Sequence, residues 1–405
     1  MNEPEPNPFA GLFGEVAKLF ASAGPVNWDI ARQVARWMAT EGLAETNVDP
    51  LCRIRLEELA RVAELNMAEA TGLPTSSAGP VVARAVGRAE WAERTLDAWR
   101  PLLEALAGAL SQGMEATSPG EGGDAAPGGA AGHGVPPPPG DPEQLVGGWA
   151  ALLTPLVLGL QSGSMVGQLA TRAFGQYHLP VPRAPADELL LVPANIGAFA
   201  QDWSLPEDDV RLWVCLDELA HHTVLRLHHV RERLEELFRS YMSGFNPDAA
   251  LLGERMSNLD LSDLASMQDA LGDPDALLGE MQSPAQKAVL PTLEALAAAL
   301  EGYVDHVVDR AGRRLIGSYD SLAEALRRRR VERAEGERLV ERLFGLELGQ
   351  DQYDRGAAFV AGVVERAGEE ALARLWESAR TLPTPAEVDA PGLWLARIEL
   401  PDHRP

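Results

Sequence analysis

The 405-residue chain is short of three things, and each shortage closes off a class of function. It has two cysteines, Cys52 and Cys215, too few for a disulfide framework and too far apart for a CxxC redox or zinc pair. It has two lysines, Lys18 and Lys287, so nearly all of its 35 basic side chains are arginines, a skew that reads as coding bias. It also lacks positive charge overall. Sixty acidic residues against those 35 give a net charge of -25, a field that repels phosphate backbones and anionic lipid heads. Nucleic acid and membrane are therefore excluded as expected partners. The start, MNEPEPNPFAGLFGEVAKLF, is acidic and Pro-rich and lacks the basic stretch and apolar run of a signal peptide. The expectation is a reduced, cytoplasmic protein. No Gly-rich phosphate loop and no GxSxG elbow occurs, so nucleotide-dependent and serine-hydrolase chemistry have no support.

With 46% hydrophobic and 23% charged residues the chain is otherwise ordinary for a globular protein. Its clearest boundary is compositional. Residues 116–142, rich in Gly, Pro and Ala, cannot bury enough side chain to offset their ordering entropy, so a disordered linker is expected there, with His133 a poor ligand. Before it, residues 1–115 read as a helical bundle; Ile30, Val34, Trp37 and Met38, for example, recur at spacings of three and four. After it, residues 143–405 form the larger part. Gln144 to Thr171 carries no charge, but Pro155, Gln161 and Ser162 interrupt it. Gly159, Gly163 and Gly167 stand four apart on one face, which predicts a buried helix packed at short range and not a membrane span. A short strand is expected in LLLVPANIGAF, residues 189–199. A long helix should begin near 206, with Ser204 as its N-cap and Glu207, Asp208 and Asp209 at the positive end of its dipole. The predicted fold class is mainly α with at most a small β-sheet.

That long helix carries the residues that suggest chemistry. Asp217 and His221 are four apart and share a face; Glu218 and His222 repeat the spacing one position around. Asp-Glu-x-x-His matches the helix in which two histidines at i and i+4 hold zinc and the glutamate is general base to the metal-bound water, with only the first ligand changed. The apolar flanks, Val214, Leu216 and Leu219, make such a polar cluster costly unless it is paired or bound to metal. A second apolar helix, LEALAAALEGYVDHVVDRAG, offers Glu301, Asp305 and His306. Three further features read as structure: Cys215 as a buried inert thiol, His228 and His229 as a solvated face, and Arg327 to Arg330, flanked by Glu324, Glu332, Glu335 and Glu337, as a salt-bridged helix surface. A site for phosphate or an acidic partner is the other reading of the arginine run.

Several blocks together resemble an actinobacterial zincin-like metallopeptidase family, type 2, whose members are grouped as hydrolases and in part with deazaflavin-cofactor producers. They are GPVNWDIARQVA (24–35), EWAERTLDAWR (90–100), GQYHLPVPR (175–183), LLVPANIGAFAQDWSLPEDDVRLWV (190–214), LEGYVDHVVD (300–309), FGLELGQDQYDRGAAFV (344–360) and RLWESARTLPTPAEVDAPGLWLAR (374–397). The resemblance implies a gluzincin-like metallohydrolase domain, zinc as cofactor, Glu218 as the catalytic base, and metal ligands at His221 and Glu301. Asp217 stands where the family's first histidine ligand belongs, and His178 replaces an aspartate in the Gln-Tyr-Asp-Leu-Pro block. The expected function is therefore that of a family member with a degenerate metal site, catalytically impaired and engaging an unidentified peptide or protein partner. The alternative is an active metal-dependent hydrolase whose metal is held by Asp217, His221 and Glu301.

Overall fold

The structure is a computed structural model that describes residues 24–116, 142–245, 282–332, 335–346 and 348–400. The expected linker with His133 lies outside the described residues, except for its end positions 116 and 142, which belong to helices.

Among the described residues, three helices precede the linker: α1 (Trp28–Thr40), α2 (Pro50–Thr71) and α3 (Arg88–Ala116), with strand β1 (Val82–Ala85) between the last two. After it come α4 (Pro142–Ala170), β2 (Glu188–Leu191), α5 (Pro193–Asp202), α6 (Glu207–Leu225), α7 (His228–Ser243), α8 (Pro284–Leu315), α9 (Tyr319–Val331), α10 (Glu335–Phe344) and α11 (Gln350–Ala367). Three short helices, α12 (Glu369–Ala373), α13 (Pro385–Asp389) and α14 (Pro391–Glu399), close the chain. The fold is mainly α, as the periodicity predicts. Local chemistry sets many of the ends. Asn27 Oδ1 accepts the Ile30 N–H at 3.2 Å to cap α1, and Ser283 with Gln286 forms a reciprocal capping box at the start of α8.

The small-residue face of α4 meets α1. A Cβ on Gly159 would stand 2.5 Å from the Asn27 carbonyl oxygen, and one on Gly163 would collide with the Ala31 carbonyl. The facing side of α1 is equally small, with Ala31, Ala35 and Ala39 fully buried. Two helices that meet backbone to backbone place the chain after α4 with little freedom, and that chain forms one wall of the site below. Buried Asn195 reinforces the placement, donating from Nδ2 to the carbonyls of Ala170 at 2.8 Å and Ala173 at 2.7 Å.

The expected strand exists as β2. It pairs in parallel with β1, Val82 opposite Glu188 and Ala85 opposite Leu191, so a strand from each side of the linker builds the sheet. Residues 174–176 run antiparallel along β2: Gln176 N–H donates to Leu190 O at 3.1 Å and Val192 N–H to Phe174 O at 2.8 Å. Among the described residues no helix is long and apolar enough to cross a membrane.

Two local expectations need correction. The helix from 206 does not run on through His229. It ends at Leu225, Leu227 is extended, and α7 starts at His228, which lets Leu225 and Val230 both be buried and puts His228 and His229 on a separate helix from His221 and His222. The N-cap of α6 is Pro206, not Ser204, which sits at φ 52°. Asp209 instead accepts from the Ser318 N–H at 3.1 Å.

The α1–α4 contact predicts opposite outcomes for two glycine substitutions. Gly163→Ala should destabilise by about 1–3 kcal/mol, because the added methyl overpacks against backbone that cannot yield. Gly108→Ala, in α3 with open space at the Cβ position, should stabilise by about 0.5–1 kcal/mol through helix propensity. Urea unfolding of both variants checks the pair; equal effects would contradict the close helix contact.

Candidate functional site

Helix α6 is apolar nearly all round, with Leu212, Val214, Cys215, Leu216, Leu219 and Ala220 buried. Into that setting it carries Asp217, Glu218, His221 and His222, of which the last three are at most 3% exposed. Helix α8 lies against it and brings Glu301, 5% exposed. The register of α8 is held at the next residue, Gly302, where any side chain would strike the Gly356 backbone of α11. The structure thus brings Asp217, Glu218, His221 and Glu301 together on one pocket of about 120 Å³.

Each proposed site residue has a definite partner. His221 Nδ1 donates to the Asp217 carbonyl oxygen at 3.0 Å, with the Asp217 carboxylate 3.6 Å from the same nitrogen. His221 Nε2 lies 3.2 Å from Glu301 Oε1. Both ring nitrogens face acceptors, which an imidazolium satisfies and a neutral imidazole does not. Burial works against charge on His221, but Glu301 and then Asp217 outweigh it and raise its pKa to about 10. Burial is also the main force on the acids of α6. It pushes Asp217 up to about 6, and Glu218, with Asp217 beside it, to about 8.

Glu218 is parked against the antiparallel segment. Its Oε2 accepts the Tyr177 N–H at 2.9 Å, and its carboxyl fills the space that a side chain at Gly175 would take. The Trp91 indole N–H holds the Gly175 carbonyl at 2.8 Å. His222, pointing the other way around the helix as its spacing predicts, shares a 3.0 Å hydrogen bond with the Tyr177 hydroxyl; burial lowers its pKa to about 4, so it is neutral. Asp305 and His306 do not join the pocket. Asp305 binds Arg330 at 2.5 and 2.7 Å, and His306 binds Glu369 at 3.0 Å. Cys215 is fully buried and its thiol is raised by burial, in keeping with an inert role.

Zinc in a catalytic site takes three protein ligands at about 2.0–2.2 Å and keeps one open position. The donors present do not assemble that set. Glu301 is on Nε2 of His221, whereas Asp217 approaches the opposite ring nitrogen. Among the described residues no group of three His, Cys, Asp or Glu side chains converges closely enough to hold a metal ion.

The pocket also contains residues that the sequence did not place there. His178 and Arg172 both reach Glu337 Oε1, at 3.2 and 2.9 Å. The arginine run, expected to be a salt-bridged surface, divides. Arg327 and Arg328 pair with Glu324 at the surface, while Arg329 and Arg330 turn inward and line the pocket. A signal was available: Leu322, Ala325 and Leu326 are the buried face of α9, and positions 329 and 330 continue it at spacings of three and four.

A profile described as zincin-like metallopeptidase matches residues 26–395 of the chain. No curated protein matches it. Among solved structures, a crystal structure of a "putative hydrolase with a novel fold" from Chloroflexus aurantiacus shares 24% identity and superposes with a TM-score of 0.59, covering 93% of this chain and 100% of that one. At that identity the likeness speaks for the fold alone.

The buried network predicts how stability depends on pH. His221 holds its proton more tightly folded than unfolded, so its contribution is complete below about 6.5 and disappears as pH climbs through about 10. The raised acids act with the same sign at lower pH, Asp217 losing its contribution on the way to about 6 and Glu218 on the way to about 8. The urea midpoint should therefore fall between pH 6.5 and 10, and His221→Gln should flatten that slope. A wild-type midpoint that is level or rising over this range would contradict the network.

Proposed function

The chain belongs to the zincin-like metallopeptidase family, and from that premise we propose that it is a member whose metal site has been replaced by an imidazolium–carboxylate network, leaving hydrolysis impaired. One observation carries the reading: Nδ1 and Nε2 of His221 both face acceptors, the Asp217 carbonyl at 3.0 Å and Glu301 at 3.2 Å, an arrangement that a doubly protonated ring satisfies. A nitrogen that carries a proton has no lone pair for a metal. In this reading His221 supplies the positive charge that offsets Asp217 and Glu301, and no Lewis acid polarises a scissile carbonyl. Glu218, the family's base, is held by the Tyr177 N–H and is protonated near neutral pH, so it is poorly prepared to take a proton from water. The pocket remains as a binding site for a peptide or protein segment.

A second reading, the active metal-dependent hydrolase with Asp217, His221 and Glu301 as ligands and Glu218 as base, is favoured by one specific observation. The Nδ1–H to carbonyl bond is the kind that orients a metal-bound histidine, and it leaves Nε2 aimed at Glu301. Against it stands the side of the ring on which Asp217 lies.

Metal content separates the two. Untagged protein purified without added metal and analysed by plasma emission should hold almost no zinc, and chelator should leave its thermal midpoint unchanged. Asp217→His restores the missing imidazole, and this variant should take up about one zinc per chain with a raised midpoint. About one zinc in the wild-type protein, lost to chelator together with stability, would overturn the ion-pair reading and restore the hydrolase.

A further inference from the structure

The arginines on the inner face of α9 are not equivalent. Arg330 is neutralised by its two-point contact with Asp305 and lies 4.2 Å over the Tyr353 ring. Arg172, on the segment after α4, is neutralised by Glu337. Arg329 has no carboxylate partner among the described residues, although it lines the same pocket. Its guanidinium lies face-on to Phe174, 3.6 Å from the ring centroid, and one Nη donates to the Arg172 carbonyl oxygen. Stacking fixes the plane of the fork and leaves the remaining N–H groups to act within that plane. Burial and then Arg172 lower its pKa to about 9, and Glu337, already in contact with Arg172 and His178, offsets that cost only in part.

The pocket wall states what would offset it. A rigid guanidinium edge matches the two oxygens of a carboxylate, and such charge-assisted pairs are among the stronger hydrogen bonds. The lining also holds more carboxyl groups than guanidinium groups, which disfavours a dianion such as phosphate. Trp213, Val214, Leu326 and Leu348 supply apolar surface for the rest of the ligand. The pocket, about 120 Å³, holds several waters, so it takes a small ligand or the end of a longer one.

We propose that this pocket binds a small apolar molecule or chain end bearing a single carboxylate, with Arg329 as the group that anchors the carboxylate. The α-carboxylate of an N-acylated apolar amino acid has this chemistry, whether the molecule is free or is the last residue of a peptide. Anchoring at Arg329 is independent of the state of His221: protein that takes up zinc yet binds the acid overturns the ion-pair reading alone, and protein without zinc that ignores the acid overturns this one alone.

The test is calorimetric titration of the full chain with N-acetyl-L-leucine, its uncharged amide and inorganic phosphate. The acid should bind, and the amide and phosphate should bind at least about tenfold more weakly. Arg329→Gln should weaken the acid by about tenfold to a hundredfold, and Arg329→Lys, which keeps the charge but loses the fork, by less. Acetyl-Ala-Ala-Leu binding as tightly as acetyl-leucine would mark the end of a peptide as the source; its exclusion would mark a free small acid. Acid and amide binding alike, phosphate matching the acid, or no heat with any of the three would overturn the proposal. Those comparisons use wild-type protein, so they decide even if Arg329→Gln fails to fold.

Discussion

The site is organised by the cost of placing ionisable groups inside an apolar helix pair. Desolvating a carboxylate or an imidazolium costs several kcal/mol, and an interior position keeps such a group only if a counter-charge and hydrogen bonds are in place at once. His221 and Glu301 meet that condition across the α6–α8 contact, at 3.2 Å and with both side chains under 8% exposed. Much else follows from keeping them there. Gly302 and Gly356 let α8 and α11 approach until their backbones touch, and Glu301 is the neighbour of that contact. Gly175 leaves room for the Glu218 carboxyl, and the Tyr177 N–H meets it. Asp305, one turn beyond Glu301, is matched by Arg330.

The same logic bears on Asp217, at the position where the zincin helix pattern has its first histidine. An aspartate is shorter than a histidine, so at position 217 its oxygens stay near the α6 backbone and close on Nδ1 of His221 instead of sharing the Nε2 side with Glu301. In the proposed ion-pair reading, the cation that balances the acids is a proton on the ring. A polar cluster of this kind joins the two helices across their contact, through His221 and Glu301.

That opposite wall is built by helix periodicity. Arg327 and Arg328 share Glu324 in water, where ion pairs contribute little, while Arg329 and Arg330 follow Leu322 and Leu326 inward. Four identical residues in a row thus have three different environments: solvent, an internal ion pair, and a stacked fork with no carboxylate in direct contact among the described residues. The pocket lies where the acidic face of α6 and the basic face of α9 oppose one another, closed at one side by the segment after α4.

Reading the sequence went furthest where a signal is periodic or local. Helical spacing, the small-residue face of α4, the strand at 188–191 and the superposition of Asp217 with His221 are consequences of repeats of 3.6 and 2 residues and of residue size, and all are present in the structure. The family match rests on blocks spread over most of the chain and is equally legible there. What the chain could not state in advance was anything set by a distant partner. The break at Leu227, the pairing of β1 with β2 across the linker, the diversion of Asp305 to Arg330 and the inward turn of Arg329 each depend on which element packs alongside. The candidate site residues of α6 and α8 could be named from the sequence, but which ring nitrogen each carboxylate reaches was decided only when the two helices were set side by side. Residue type determines what a group can bond to; only the tertiary contact determines which partner comes within 3–4 Å of it.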